Sequence, residues 1–109
     1  MNSLLKLSAE QMEQVAQEIR DYLVENDLCD STFIYVNGKR YSNDKVEEGY
    51  KASDYFEYAN DETISISTEG ILYDLINYGS GLVGLDQIVG KYGMYFELGN
   101  AWNMACYYI

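Results

Sequence analysis

The chain has no histidine and no proline, only two cysteines, and seven lysines and arginines against eighteen aspartates and glutamates. Without histidine it lacks the commonest general base and the commonest metal ligand, so hydrolytic and metal-assisted catalysis have little to work with. Cys29 and Cys106 lie too far apart in sequence for a disulfide framework and fit no zinc-ligand spacing. The expectation is two reduced, partly buried thiols in a cytoplasmic protein. No apolar run approaches the roughly eighteen residues of a membrane span, and no basic stretch precedes an apolar one near Met1. This composition predicts a soluble, unsecreted protein in the cytoplasm. No repeat, low-complexity tract or linker divides the sequence, so residues 1–109 read as one domain with a single modest core.

What is abundant is acid and tyrosine. The formal net charge is -11, yet 48% of residues are hydrophobic and 15% aromatic, too many for a disordered acidic tail. Residues 7–30 hold seven acids and one arginine, a net of -6, and residues 41–74 hold nine acids and two lysines, a net of -7. Between them residues 31–40 carry +2, while residues 75–109 carry only -1. Such a field opposes nucleic acid and membrane surfaces and favours basic protein surfaces.

Local patterns place the elements. Ser8 and Gln11 have the spacing of a capping box, with Leu7 and Met12 at the staple positions. Met12, Val15, Ala16, Ile19, Tyr22 and Leu23 then recur at helical intervals, and Glu10, Glu13, Glu18, Asp21 and Glu25 fall mostly off that stripe. This predicts an amphipathic helix of about five turns with a solvated acidic side. In "TFIYVNGKRYS" the pair Asn37-Gly38 suits a type I′ hairpin turn, which opposes Val36 to Lys39 and Ile34 to Tyr41. Phe33, Tyr35, Arg40 and Ser42 then share the other face. Residues 43–61 fit either a short helix capped by Ser53 or an aromatic strand. Thr63 to Ser67 alternates as a strand. Thr68 is placed to cap a helix from Glu69 to about Tyr78, with Leu72, Leu75 and Ile76 inward and Gly79 at the stop. "GSGLVG" reads as a flexible connection to a shorter helix carrying Leu85, Ile88, Val89 and Tyr92 and ended by Gly93. The last segment reads as two aromatic strands turning at Gly99-Asn100, apolar on both faces and therefore central in the sheet. The fold class is α+β: an antiparallel sheet of about four to five strands with the N-terminal amphipathic helix and two shorter helices packed on it.

Few motifs carry chemistry. Gly79 to Gly84 spaces its glycines like a phosphate loop but follows a helix rather than a strand, beside a strongly acidic block. The acid pairs Glu47-Glu48, Asp54/Glu57 and Asp61-Glu62 match no calcium loop, and paired acids for glycoside chemistry have no supporting motif. No catalytic residue, cofactor or metal site is therefore expected. The informative stretch is Asp44 to Glu62, "DKVEEGYKASDYFEYANDE", where carboxylates and rings interleave. Solubility alone accounts for the carboxylates but not for the rings, since tyrosine is a contact residue with a large face and a polar tip. Carboxylates imitate a row of phosphates, and tyrosines stack on arginine guanidiniums. The candidate partner-binding residues are Asp44, Glu47, Glu48, Tyr50, Asp54, Tyr55, Glu57, Tyr58, Asp61 and Glu62.

In size, acidity, lack of histidine and proline, and the texture of "EGILYDLINYG" and "KYGMYFELGNAWNMACYY", the chain resembles the small acidic anti-defence proteins of phages and mobile elements. Type II-A anti-CRISPR proteins and antirestriction DNA mimics are the groups it is most similar to. The resemblance is one of type and carries over no individual residue. It implies a non-catalytic inhibitor bound to a basic bacterial nuclease, a Cas9-like effector or another DNA-binding enzyme, where that enzyme holds nucleic acid. An immunity protein against a basic nuclease toxin and a plain structural or homodimerising module are the alternatives.

Overall fold

The computed structural model describes residues 6–29, 31–69, 72–74, 81–100 and 102–109. Helix α1, Ala9–Glu25, begins as its sequence predicts: Ser8 Oγ accepts from the Gln11 N–H at 3.1 Å, and Gln11 Oε1 accepts from the Ser8 N–H at 2.9 Å. It ends with Asp27 in the left-handed region at φ 56°, while Leu28 N–H reaches back to the Leu23 carbonyl at 2.7 Å. That hydrogen bond closes a Schellman stop and turns Leu28 into the core.

The sheet has six strands, not four or five: β1 Thr32–Val36, β2 Lys39–Tyr41, β3 Val46–Glu48, β4 Ile64–Thr68, β5 Met94–Asn100 and β6 Asn103–Tyr108. Their order is β3-β2-β1-β4-β6-β5, antiparallel throughout. The β1–β2 hairpin keeps the register read from sequence, with Asn37 at φ 52° and Gly38 at φ 75° as a type I′ turn requires. The extra strand is β3, only three residues long, in the segment that sequence left open. A single 3-10 turn, Ala52–Asp54, is the helical structure found there, because the Ser53 side chain bonds to Asp61 and does not cap a longer helix.

Thr68 is the last residue of β4 and not a helix cap, since both its N–H and its hydroxyl donate to the Trp102 carbonyl. Of the helix expected from Glu69 to Tyr78, Leu72 to Asp74 are helical, with Leu72 fully buried. Leu75, Ile76 and the Gly79 stop lie outside the described residues. Helix α2, Gly81–Gly90, absorbs the second half of "GSGLVG", so that stretch is not simply a connection. A β-carbon on Gly84 would collide with the Tyr22 ring of α1, which makes this glycine the point of close approach between the two helices. Gly93, at φ 77°, follows α2 in the turn into β5 and does not end the helix directly.

The C-terminal hairpin departs from expectation in two ways. Its ladder is irregular between Leu98 and Asn100, so the chain reverses after Asn100 and not at Gly99-Asn100. It is also not central as a pair. β6 lies inside the sheet with Asn103 to Cys106 all buried, whereas β5 is an edge that buries Met94 and Phe96 and exposes Tyr95 and Glu97. The outward Phe96 N–H is taken by Asp86 of α2 at 2.9 Å, a carboxylate that blunts the edge against another strand.

The core lies between one sheet face and the helices. Met12, Val15, Ala16, Ile19 and Leu23 of α1 and Leu85 and Val89 of α2 meet Ile34, Val36, Ile64, Ile66, Met94, Phe96, Met104 and Cys106. Both thiols are reduced and fully buried, and burial pushes Cys106 up to about 12. No described helix is long and apolar enough to cross a membrane.

The acidic side of α1 is less solvated than its pattern suggests. Glu13 takes hydrogen bonds from Lys39 at 2.8 Å, from Asn37 at 3.1 Å and from Tyr41 at 3.3 Å, tying α1 to the β1–β2 hairpin. Glu18 takes Lys91 and the Tyr92 hydroxyl, tying α1 to the end of α2. Hydrogen bonds from Lys39 and then Asn37 hold Glu13 below the ordinary carboxylate value of 4.5, and those from Lys91 and then Tyr92 do the same for Glu18. A lowered folded-state pKa contributes stability that is present above the unfolded value and is lost as pH falls through the folded one. Between about pH 6 and about pH 3 the urea midpoint of the wild type should therefore fall relative to that of a Glu13→Gln/Glu18→Gln variant. Parallel pH profiles for the two proteins would show that these contacts carry no acid-sensitive stability.

Candidate partner-binding surface

The helices cover one face of the sheet, and the chain uses its own acidic segment on the other. That second face is built from small residues at its centre: Ser65 and Ala105 are fully buried there, next to Ser67. Phe33 and Tyr35 rise on one side of this trough, and Tyr95 and Tyr107, paired across β5 and β6, on the other. The segment from Gly49 to Thr63 crosses in the trough. Asn60 anchors it: its N–H donates to Ser65 Oγ and its side-chain amide to the Cys106 carbonyl, each at 2.8 Å. The Thr63 hydroxyl donates to the same carbonyl, so side chains extend the hydrogen bonding where the β4–β6 ladder stops. Near β5 the segment passes close to Gly99, where a β-carbon would collide with Tyr58 Cβ and Asn103 Oδ1.

At the β3 end the anchor is Arg40. Its guanidinium lies between the Phe33 ring, at 4.5 Å, and the Tyr50 ring, at 3.9 Å, and pairs with Glu47 at 2.9 Å. Arg40 and Glu47 face one another across β2 and β3, which explains how so short a strand is held. Tyr35 meets Phe56 edge-on at 5.7 Å and Tyr55 at 5.8 Å, and Tyr55 stacks on Tyr50 at 6.0 Å. The segment is thus fixed to the sheet by an aromatic cluster around one arginine.

The ten residues singled out from sequence fall into three groups: part of the frame, apart from the segment, and on its outward surface. Glu47 and Tyr50 are half-buried and committed to Arg40, so they build the frame and are not free contacts. Asp61 is exposed but accepts from the Ser53 N–H and hydroxyl. Glu48, opposite Lys39 in the ladder, is exposed, as is Asp44, which lies apart in the β2–β3 turn near Arg20. Asp54, Glu57 and Glu62 are exposed on the segment, and Tyr55 and Tyr58 are 55% and 50% exposed. These last five, with Asp61, form the outward acidic and aromatic surface, whereas Glu48 shares with Lys39 the side of the sheet that faces α1. Among the described residues no three cysteine or carboxylate groups converge to hold a metal ion.

Sequence reasoning missed a groove beside this surface. It has a volume of about 530 Å³ and lies between Tyr55-Phe56-Glu57 on one side and Glu69 and Trp102 on the other, with Phe33 and Arg40 along it. Trp102 is 59% exposed. The lining comes from five separate stretches of chain, and only strand order brings them together. The lone tryptophan beside a predicted turn was the one available signal.

If the segment is held in its trough by close approach at Gly99, Gly99→Ala should cost about 1–3 kcal/mol in urea unfolding, the usual penalty of overpacking. The amide resonances of residues 55–61 should move more than those of α1. An unaltered midpoint would mean that the segment does not rest against β5.

No family model, no curated protein and no solved structure matches the chain.

Proposed function

We propose that the protein is a non-catalytic inhibitor whose acidic segment occupies the nucleic-acid-binding surface of a basic bacterial nuclease. The observation that carries this reading is the division within residues 44–62. Rings and one ion pair fasten the segment to the sheet, while Asp54, Glu57 and Glu62 are left in solvent around Tyr55 and Tyr58. Among the described residues none of those three carboxylates is in an ion pair. A row of unpaired carboxylates on a pinned backbone needs little ordering on binding, which is where flexible acidic tails lose affinity. The exposed rings supply contact area and faces for guanidinium groups, the residue type that nucleic-acid channels use most. The segment's charge opposes direct binding of nucleic acid, so the protein enters the channel in place of DNA or RNA.

Attachment of Glu13 and Glu18 to the frame sharpens the test, because substituting them would disturb α1 along with charge. The suitable comparison is Asp54, Glu57 and Glu62 to lysine against the exposed Glu10, Asp21 and Glu25 of α1 to lysine, equal changes in net charge. In capture from a bacterial lysate at low salt, the wild type should retain a basic nuclease and release it as salt rises, since exposed charges are screened beyond about 8 Å at physiological ionic strength. The segment variant should lose on the order of 2–5 kcal/mol of affinity for that nuclease and the helix variant much less. Equal losses would reduce the effect to bulk charge, and salt-independent retention would remove charge mimicry altogether.

A further inference from the structure

The groove beside the acidic segment has a charge and a lining that select what enters it. The one cation among its described lining residues, Arg40, is already answered by Glu47 at 2.9 Å and lies over the Phe33 and Tyr50 rings. That leaves Glu57 and Glu69, both exposed and, among the described residues, both outside any ion pair. Once Arg40 and Glu47 cancel, the described lining of the groove holds two uncompensated carboxylates within a chain of net charge -11. An anion is disfavoured there, and a cation is drawn in.

The walls narrow the choice of cation. Tyr55, Phe56 and Trp102 line the groove, and Tyr55 and Trp102 are more than half exposed. Flat rings beside carboxylates suit a planar, weakly hydrated guanidinium, which stacks on the rings and forks its N–H groups onto the acids. An ammonium is compact, strongly hydrated and without a flat face. The molecule already shows the first arrangement internally, with Arg40 between two rings and paired to a glutamate. A volume of about 530 Å³ admits an extended arginine side chain with part of the backbone that bears it.

We infer that this groove is an anchor site for an arginine side chain presented by the protein's partner, held by Glu57 and Glu69 and stacked against Trp102 and its neighbouring rings. The inference deepens the proposed function and rests on it for the source of the arginine; the groove's preference for guanidinium can be measured without any partner. Trp102 is the only tryptophan, so its emission reports on the groove directly.

The probe is the tripeptide acetyl-Gly-Arg-Gly-amide, titrated into the whole protein beside its lysine, citrulline and glutamate counterparts. The arginine peptide should change Trp102 emission saturably in the millimolar range. Citrulline, a neutral group of the same shape, should bind about tenfold more weakly or not at all, and lysine should fall between. Glu57→Gln with Glu69→Gln should weaken the arginine peptide about tenfold, and the matched pair Glu10→Gln with Asp21→Asn on α1 should leave it unchanged. No saturable change with arginine, equal binding of citrulline, or equal effects of the two variant pairs would each overturn the inference. With the captured nuclease, a partner retained equally by wild type and the Glu57/Glu69 variant would also overturn it. Failure to retain any basic protein, alongside a normal tripeptide titration, would overturn the proposed partner and leave the guanidinium site standing.

Discussion

A sheet has two faces, and a chain of this size has helices enough for only one. The second face here would be a strip of serine, alanine and tyrosine open to water. Serine and alanine at its middle solve the problem by being small: Ser65 and Ala105 leave a trough deep enough for an irregular segment to cross. Residues 49–63 fill it, and the character of that segment follows. Its underside must pack, hence Tyr50, Ala52 and Phe56 against Tyr35 and Arg40; its upper side stays in water, hence Asp54, Glu57 and Glu62. The interleaving of rings and carboxylates is the linear trace of a two-sided strap.

Features written in adjacent residues were legible from sequence. Ser8 with Gln11 fixed the start of α1, and Asn37-Gly38 fixed both the turn and the register of β1 against β2. Features that depend on distant partners were not. β3 is three residues with no apolar alternation, and it exists because Glu47 meets Arg40 across the ladder. The last hairpin looked central from the apolarity of its residues; composition cannot tell that Asp86 of α2 takes an edge N–H of β5. Thr68 looks like a helix cap until the Trp102 carbonyl, thirty-four residues on, claims its hydroxyl.

The candidate site was legible to a similar depth. Asp44 to Glu62 stands out in sequence as the unusual stretch, and Asp54, Tyr55, Glu57, Tyr58 and Glu62 are exposed on it. Sequence could not separate these from Glu47 and Tyr50, because exposure there is decided by Arg40, whose side of the hairpin was read but whose stacking was not. On α1, Glu10, Asp21 and Glu25 are exposed as their spacing predicts, and the departure is confined to two acids. Their spacing is that of a solvated face, yet Glu13 and Glu18 are drawn into contacts by residues 26 and 73 positions further along. Phe33, Glu69 and Trp102 belong to the groove through topology alone.

The allocation of cations shows where charge repulsion is tolerated. Three of the seven basic residues, Lys39, Arg40 and Lys91, form the ion pairs found among the described residues, and each pair fastens one structural element to another. None is spent on the outer row of the acidic segment, although Lys45 and Lys51 lie within its sequence and are exposed. Placing lysines among Asp54, Glu57 and Glu62 would relieve self-repulsion at little structural expense, since these side chains touch solvent and not the core. The chain does not take that relief. Repulsion left in the folded state is free energy that a cationic partner surface can recover on contact, whereas neutralised carboxylates would have to break internal pairs first. The uneven pairing therefore separates the acids that hold the fold from those left in solvent, with Arg40 and Glu47 marking the boundary between them.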